Sequence, residues 1–384
     1  MVTSVAHVYP WDVVGDPGAA ARYAELGVDA VALAAAYHTV RAATPLHPEH
    51  RLVDARHAAF YLPVRDEAWQ GKRLRPAEPS WVAADSYRSA RDALKAAGLP
   101  VYAWTVLTHS SRLGNLHPDL TVVNAFGDRY PYALCPSNQD VAEYCLTLVE
   151  EIIALAEPDG IILEACGALG FVHGGHHEKT EGGDWGPIRQ KLLSVCFCAG
   201  CTARYPDASA LREQIRTAVD AGEPEEVPLD PAIVEIRAGV AADLRKLLVN
   251  RIRELAPDLR VIVHANSDPL ATGPFATVAP DLGVEVDALV AMAWPGPEAS
   301  APNIQALREI APDTRIAGYV LALPPKPADD QAMLAEMRAL ADLGVEEFHL
   351  YHAGLASGTR LNAVREAIAA LRATRPTGGS VLGA

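Results

Sequence analysis

Short apolar runs alternate with longer stretches of helical period along most of the chain. The runs Val2–Val8, Val28–Leu33, Val101–Leu107, Ile161–Leu163, Arg260–Val263, Ala288–Ala293, Arg315–Leu321 and Glu347–Leu350 are too short for ordinary helices and read as buried strands. Between and after them, helices are expected at Ala19–Leu26, Trp81–Ala97, Ser137–Ala156, Ala208–Ala221, Pro231–Leu255, Ile304–Ile310, Asp329–Leu343 and Leu361–Leu371, with a short one near Phe275. Ser137 is the expected N-cap of its helix, with Asp140 three residues on as a weak capping box.

The turns into the strands are short and alike. Gly27-Val28-Asp29, Pro158-Asp159-Gly160, Pro257-Asp258-Leu259, Pro312-Asp313-Thr314 and Gly344-Val345-Glu346 each join a helix to a strand. The connections leaving the strands are longer and hold the aromatic, His and Gly residues. That asymmetry predicts an α/β fold of the (β/α)8 TIM-barrel type, with long loops after strands two, three and four. Residues 1–375 are expected to form one barrel domain and 376–384 a flexible tail. A doubly wound open sheet is the alternative. It is disfavoured because no G-x-G-x-x-G follows the first strand and no P-loop occurs.

Charge and leader signals narrow the partners. The net charge of −15 repels phosphate backbones, so nucleic acid is not an expected partner. No apolar run is long enough for a membrane span, and the N-terminus shows no signal-peptide pattern. A cytoplasmic location is therefore expected, and the oligomeric state stays open.

In a barrel, the C-terminal ends of the strands share one mouth. Tyr9, Trp11, Tyr37, His38, His109, Glu164, His264, Asn266, Asp268, Trp294, Tyr319, Tyr351 and His352 fall there. One acid, several imidazoles and flat aromatic faces suit a small carbohydrate-like substrate. Glu164 ends the apolar strand Ile161–Leu163, where burial would raise its pKa toward the range of a general acid. It is the first catalytic candidate; the bland alternative is a Glu held by an Arg or a backbone amide. A second carboxylate is usual for glycoside hydrolysis, and strand seven ends without an acid. Asp268 is the catalytic partner chosen, with Glu178 also considered and a turn-forming Asp or solvated Glu as the alternative. Substrate-assisted attack would need no second acid. Tyr9, Tyr37, His38, His109, His173, His264, Asn266, Trp294, Tyr319 and Tyr351 are the expected substrate contacts. His173, His176 and His177 could suggest a metal, but they match neither the mononuclear hydrolase nor the isomerase barrel pattern and read as loop and substrate contacts, with a metal role as the alternative. No cofactor is required by this reading. Cys196-x-Cys198-x-x-Cys201 offers three thiols for a structural zinc, with Cys135, Cys166 or a His as the fourth ligand; packed free thiols or redox chemistry are the alternatives.

Two motifs carry a resemblance. Leu134-Cys135-Pro136-Ser137-Asn138-Gln139-Asp140-Val141-Ala142-Glu143-Tyr144, followed by Asp159-Gly160-Ile161-x-Leu163-Glu164, resembles glycoside-hydrolase-like barrel families with an L-x-P-S-N-P-E-V-R-x-Y helix start before a D-G-I-x-L-D/E strand. Cys196-Phe197-Cys198-x-x-Cys201 with Tyr205 is similar to the C-F-C-x-x-C segment that some of them carry after strand four. The likeness covers about Pro118 to Tyr205. It implies a glycosidase-type barrel with Glu164 at the acid position, hence a hydrolase of glycosidic bonds. The chain departs from it at Gln139-Asp140, at Ala142 and at the missing acid on strand seven. A barrel lyase or isomerase using Glu164 or His264, and a non-catalytic carbohydrate-binding barrel, are the other readings.

Overall fold

The computed structural model describes residues 2–172, 179–279 and 285–373. Parallel strands close on themselves in chain order. They are β1 (Thr3–Val8), β2 (Ala30–Tyr37), β3 (Val101–Val106), β4 (Gly160–Glu164), β5 (Arg260–Asn266), β6 (Ala288–Met292), β7 (Arg315–Leu321) and β8 (Glu347–Tyr351). Each pairs with its successor, and β8 returns to β1 through Thr3–Glu347 and Ser4–Phe348. Helices surround this closed sheet: α1 (Ala19–Ala24), α2 (Ser86–Ala96), α3 (Gln139–Ala156), α4 (Pro231–Leu255), α5 (Pro297–Ile310), α6 (Asp330–Asp342) and α7 (Gly358–Ala373). The architecture is the (β/α)8 barrel that the alternation of elements predicts. No helix among the described residues is long and apolar enough to cross a membrane.

Several local expectations need correction. Ser137 does not cap α3; Asn138 occupies the N-cap position without a side-chain cap bond, and the Ser137 hydroxyl lies 2.9 Å from Cys201 Sγ instead. No helix forms at Phe275. Phe275 stacks on the His264 ring, and Ala276–Thr277 pair with β5, so the segment is held extended. Helix α5 begins at Pro297, earlier than expected, because a proline at the first helical position loses no intrahelical bond. The expected Trp81 start of α2 moves to Ser86.

The long loops have structure of their own. After β2, Val40–Ala43 and Leu52–Ala55 pair antiparallel, and Ala59–Phe60 returns against the end of β2. After β3, Thr121–Val123 and Arg129–Leu134 make a second antiparallel pair. After β4 come the helices Pro187–Leu193 and Ala208–Asp220.

Inward-facing residues recur every second position along a strand, so they fill the barrel in layers. The lower layer is polar. Arg260 Nη2 donates to Glu347 Oε2 at 2.5 Å, and its Nη1 reaches the Tyr102 hydroxyl at 3.3 Å. Gly160 makes room for this, since a Cβ there would lie 2.8 Å from Tyr102 Cδ1. One layer up, His349 Nε2 is 2.9 Å from Glu347 Oε1 and His7 Nε2 is 3.1 Å from His349 Nδ1. Burial raises the Glu347 pKa, but the bond to His349 and the charge of Arg260 outweigh it and hold the carboxyl at about 2. Above His7 the interior becomes aromatic, and the mouth begins.

Candidate active site

Glu164 ends β4 with its carboxyl turned into the barrel, 7% exposed. Trp104, from the neighbouring β3, donates its indole N–H to Glu164 Oε2 at 2.6 Å. Burial pushes the Glu164 pKa up to about 7, against the opposing pull of that bond. His264, on β5, places Nδ1 3.5 Å from the same oxygen. It is fully buried, and burial drives its pKa well below the usual imidazole range, so the ring is neutral at physiological pH. The contact is therefore between a carboxyl and a neutral imidazole, not an ion pair. Neither His264 ring nitrogen makes a hydrogen bond among the described residues.

A continuous set of ring contacts surrounds this acid. Trp104 meets His7 at 4.6 Å, Tyr37 at 4.6 Å and Tyr9 at 5.9 Å between centroids. Tyr319 bridges His264 at 4.9 Å to Trp294 at 5.7 Å, and Tyr351 lies 5.0 Å from Trp294. On the far side, Tyr37 stacks on His38, which faces His109, each at 4.2 Å. Burial raises the pKa of Tyr37 and of Tyr319, keeping both phenols neutral hydrogen-bonding groups. Trp294, Tyr351 and His38 stay half-buried.

The structure thus brings together Tyr9, Tyr37, His38, His109, Glu164, His264, Trp294, Tyr319 and Tyr351. Asn266 ends β5 and Asp268 lies in the turn after it. The Asn266 side-chain oxygen accepts the Asp268 N–H at 2.9 Å. Asp268 Oδ1 accepts the Leu270 N–H at 2.9 Å, and its Oδ2 pairs with Lys191 Nζ at 2.6 Å. His173, His176, His177 and Glu178 lie outside the described residues.

Three inward residues were not anticipated. Trp104, His7 and His349 occupy strand interiors, away from the strand ends where site residues were sought. Parity offers a signal for His349, midway between Glu347 and Tyr351, but none for Trp104, because Val101-Tyr102-Ala103-Trp104 shows no polar alternation. A further buried acid, Asp12, follows β1. It accepts the Tyr9 N–H at 2.8 Å, and burial raises its pKa to about 8. Gly354 packs directly against it; a Cβ there would fall 1.8 Å from Asp12 Oδ2.

The fold is a (β/α)8 barrel, and comparison with solved structures gives the same architecture. Alpha-L-fucosidase isoenzyme 2 from Paenibacillus thiaminolyticus superposes with a TM-score of 0.59 at 12% identity, over 97% of this chain and 50% of that one. A beta-galactosidase from the psychrophilic Marinomonas ef1 gives 0.57 at 11% identity, over 94% and 58%. The catalytic domain of beta-amylase from Paenibacillus polymyxa gives 0.53 at 13% identity, over 97% and 99%. The chain spans about half the length of the first two. At these identities the likeness is one of fold. No protein-family model matches the chain, and no curated protein matches it in sequence.

Proposed function

We propose that this chain is a glycoside hydrolase-like enzyme in which Glu164 is the general acid/base. The observation that carries the reading is one carboxyl, buried at a barrel strand end, raised to about pH 7 and framed by aromatic faces. A carboxyl of that pKa holds a proton near neutrality and can give it to a departing glycosidic oxygen. The half-buried Trp294 and Tyr351 rings offer a platform for the apolar face of a sugar, and the buried Tyr and His groups with the half-buried Asn266 offer partners for its hydroxyls. Solved barrels of similar fold include a fucosidase, a beta-galactosidase and a beta-amylase, which supports a small carbohydrate-like substrate.

Asp268 is the proposed second carboxylate, held on the loop after β5 by Lys191. To act on a substrate it must release that lysine, so its role depends on the pair opening. Substrate-assisted attack is the route that uses Glu164 alone.

The test is Glu164→Gln against aryl glycosides with good and poor leaving groups. Loss of a general acid predicts a fall in kcat/KM of about 10²–10⁴ on poor leaving groups and a much smaller fall on good ones. An equal effect on both would remove Glu164 from the acid role. His264 supports a second reading, as a neutral, buried base beside Glu164 in a lyase or isomerase. Turnover in H₂¹⁸O separates the two, because only hydrolysis places the label in product.

A further inference from the structure

Four thiols converge between the two long loops after β3 and β4. Cys135 leads into α3, and Cys196, Cys198 and Cys201 follow the helix Pro187–Leu193. All are buried, and their sulfur atoms lie within 4.8 Å of one another. Cys135 Sγ and Cys201 Sγ are 3.5 Å apart, too far for the bond of about 2.05 Å in a disulfide. Tetrahedral Zn–S bonds of about 2.3 Å set sulfur atoms roughly 3.8 Å apart, which suits this cluster.

We infer that Cys135, Cys196, Cys198 and Cys201 bind one Zn²⁺ ion as thiolates, and that the ion staples the loop after β3 to the loop after β4. On binding, four S–H protons leave to solvent and four Zn–S bonds form. The surroundings supply donors to sulfur: the Cys198 N–H reaches Cys196 Sγ at 3.4 Å, and Asn138 Nδ2 reaches Cys198 Sγ at 3.6 Å. Such donors stabilise thiolate charge, as the outer shell of a metal site does. Four protein ligands leave no open position, so the site is structural and not a centre of hydrolysis.

The staple has consequences at the mouth. Phe197 N–H donates to Val123 O at 2.6 Å, and the Tyr130 hydroxyl donates to Leu193 O at 2.8 Å, so the cysteine segment and the loop after β3 are already joined. That loop also holds His109, whose backbone bridges to Ala133, two residues before Cys135. The ion would thereby hold the loop that carries His109, without touching Glu164.

Metal analysis of the full-length chain, purified without added metal, tests this directly. One zinc per chain is expected, with most of it lost in Cys201→Ser and recovered in Cys201→His, which keeps a ligand. Chelation of the wild-type chain should speed proteolysis within residues 110–136 and 185–205 while the helical circular dichroism persists. Wild-type protein that carries no zinc, or iron in its place, or a disulfide among these cysteines, overturns the assignment. The wild-type measurement decides even if the cysteine variants fail to fold.

Discussion

The Trp104 indole N–H donates to Glu164 Oε2 at 2.6 Å, and among the described residues this hydrogen bond opposes the effect of burial on that carboxyl. A donor to a carboxylate favours its charged form. Removing it in Trp104→Phe should raise the Glu164 pKa further above 7. If Glu164 works as a protonated acid, the alkaline limb of the kcat/KM profile moves up by about one pH unit, the scale of a hydrogen bond to a charged group. A limb that stays in place would mean that another group sets it.

The same raised pKa makes a statement about stability. Between pH 4.5, the ordinary value, and about 7, the folded chain holds a proton on Glu164 that the unfolded chain has released. Stability conferred by that proton is therefore present at low pH and falls as pH rises through this window. Glu164→Gln has no such dependence and can still accept the Trp104 bond. Relative to wild type, the variant should gain about 3 kcal/mol between pH 4 and pH 8, measured from urea unfolding at each pH. A constant difference would mean that the carboxyl is better solvated than its burial indicates.

How much of this was legible in the sequence depended on which face of a strand carried the signal. Glu164 could be placed because a single acid ended an otherwise apolar run. Trp104 could not, because a barrel strand is buried on both faces, and in Val101-Tyr102-Ala103-Trp104 no polar alternation marks which side points inward. His349 was hidden for the same reason, although Glu347, His349 and Tyr351 share one face at a two-residue period. Cys135 lies 66 positions from Cys201, and only the packing of two long loops selects it over Cys166 as the fourth thiol. The short element at Phe275 was misjudged because the ring stack on His264 and pairing with β5 decide its conformation, and both are tertiary.

Trp294 offers a separate test of the mouth. Its ring is half-buried, 5.7 Å from Tyr319 and 5.0 Å from Tyr351. A residue that binds the sugar face equally in ground and transition states affects KM and leaves kcat alone. Trp294→Ala should raise KM by about tenfold, as expected for the loss of roughly 1–1.5 kcal/mol of aromatic contact. A fall in kcat with KM unchanged would instead place the ring against the reacting bond.

At the opposite end of the barrel, Glu347 carries an acid-stability prediction of the reverse sign. Its carboxyl is fully buried and is held at about 2 by His349 and Arg260, with the Thr3 hydroxyl donating at 2.9 Å. A folded-state pKa below the ordinary 4.5 contributes stability that is complete above pH 4.5 and is lost as pH falls toward 2. Glu347→Gln should therefore cost more at pH 7 than at pH 3, by about 2 kcal/mol. At pH 7 it also leaves Arg260 without its carboxylate partner; because that side chain is 25% exposed, the cost lies below the about 3–5 kcal/mol of breaking a fully buried pair. Adding Arg260→Met removes the stranded charge, so the double variant should be more stable than Glu347→Gln alone. If the two substitutions simply added, Arg260 and Glu347 would not be acting as a buried pair, and the polar layer beneath His7 would owe its stability to packing.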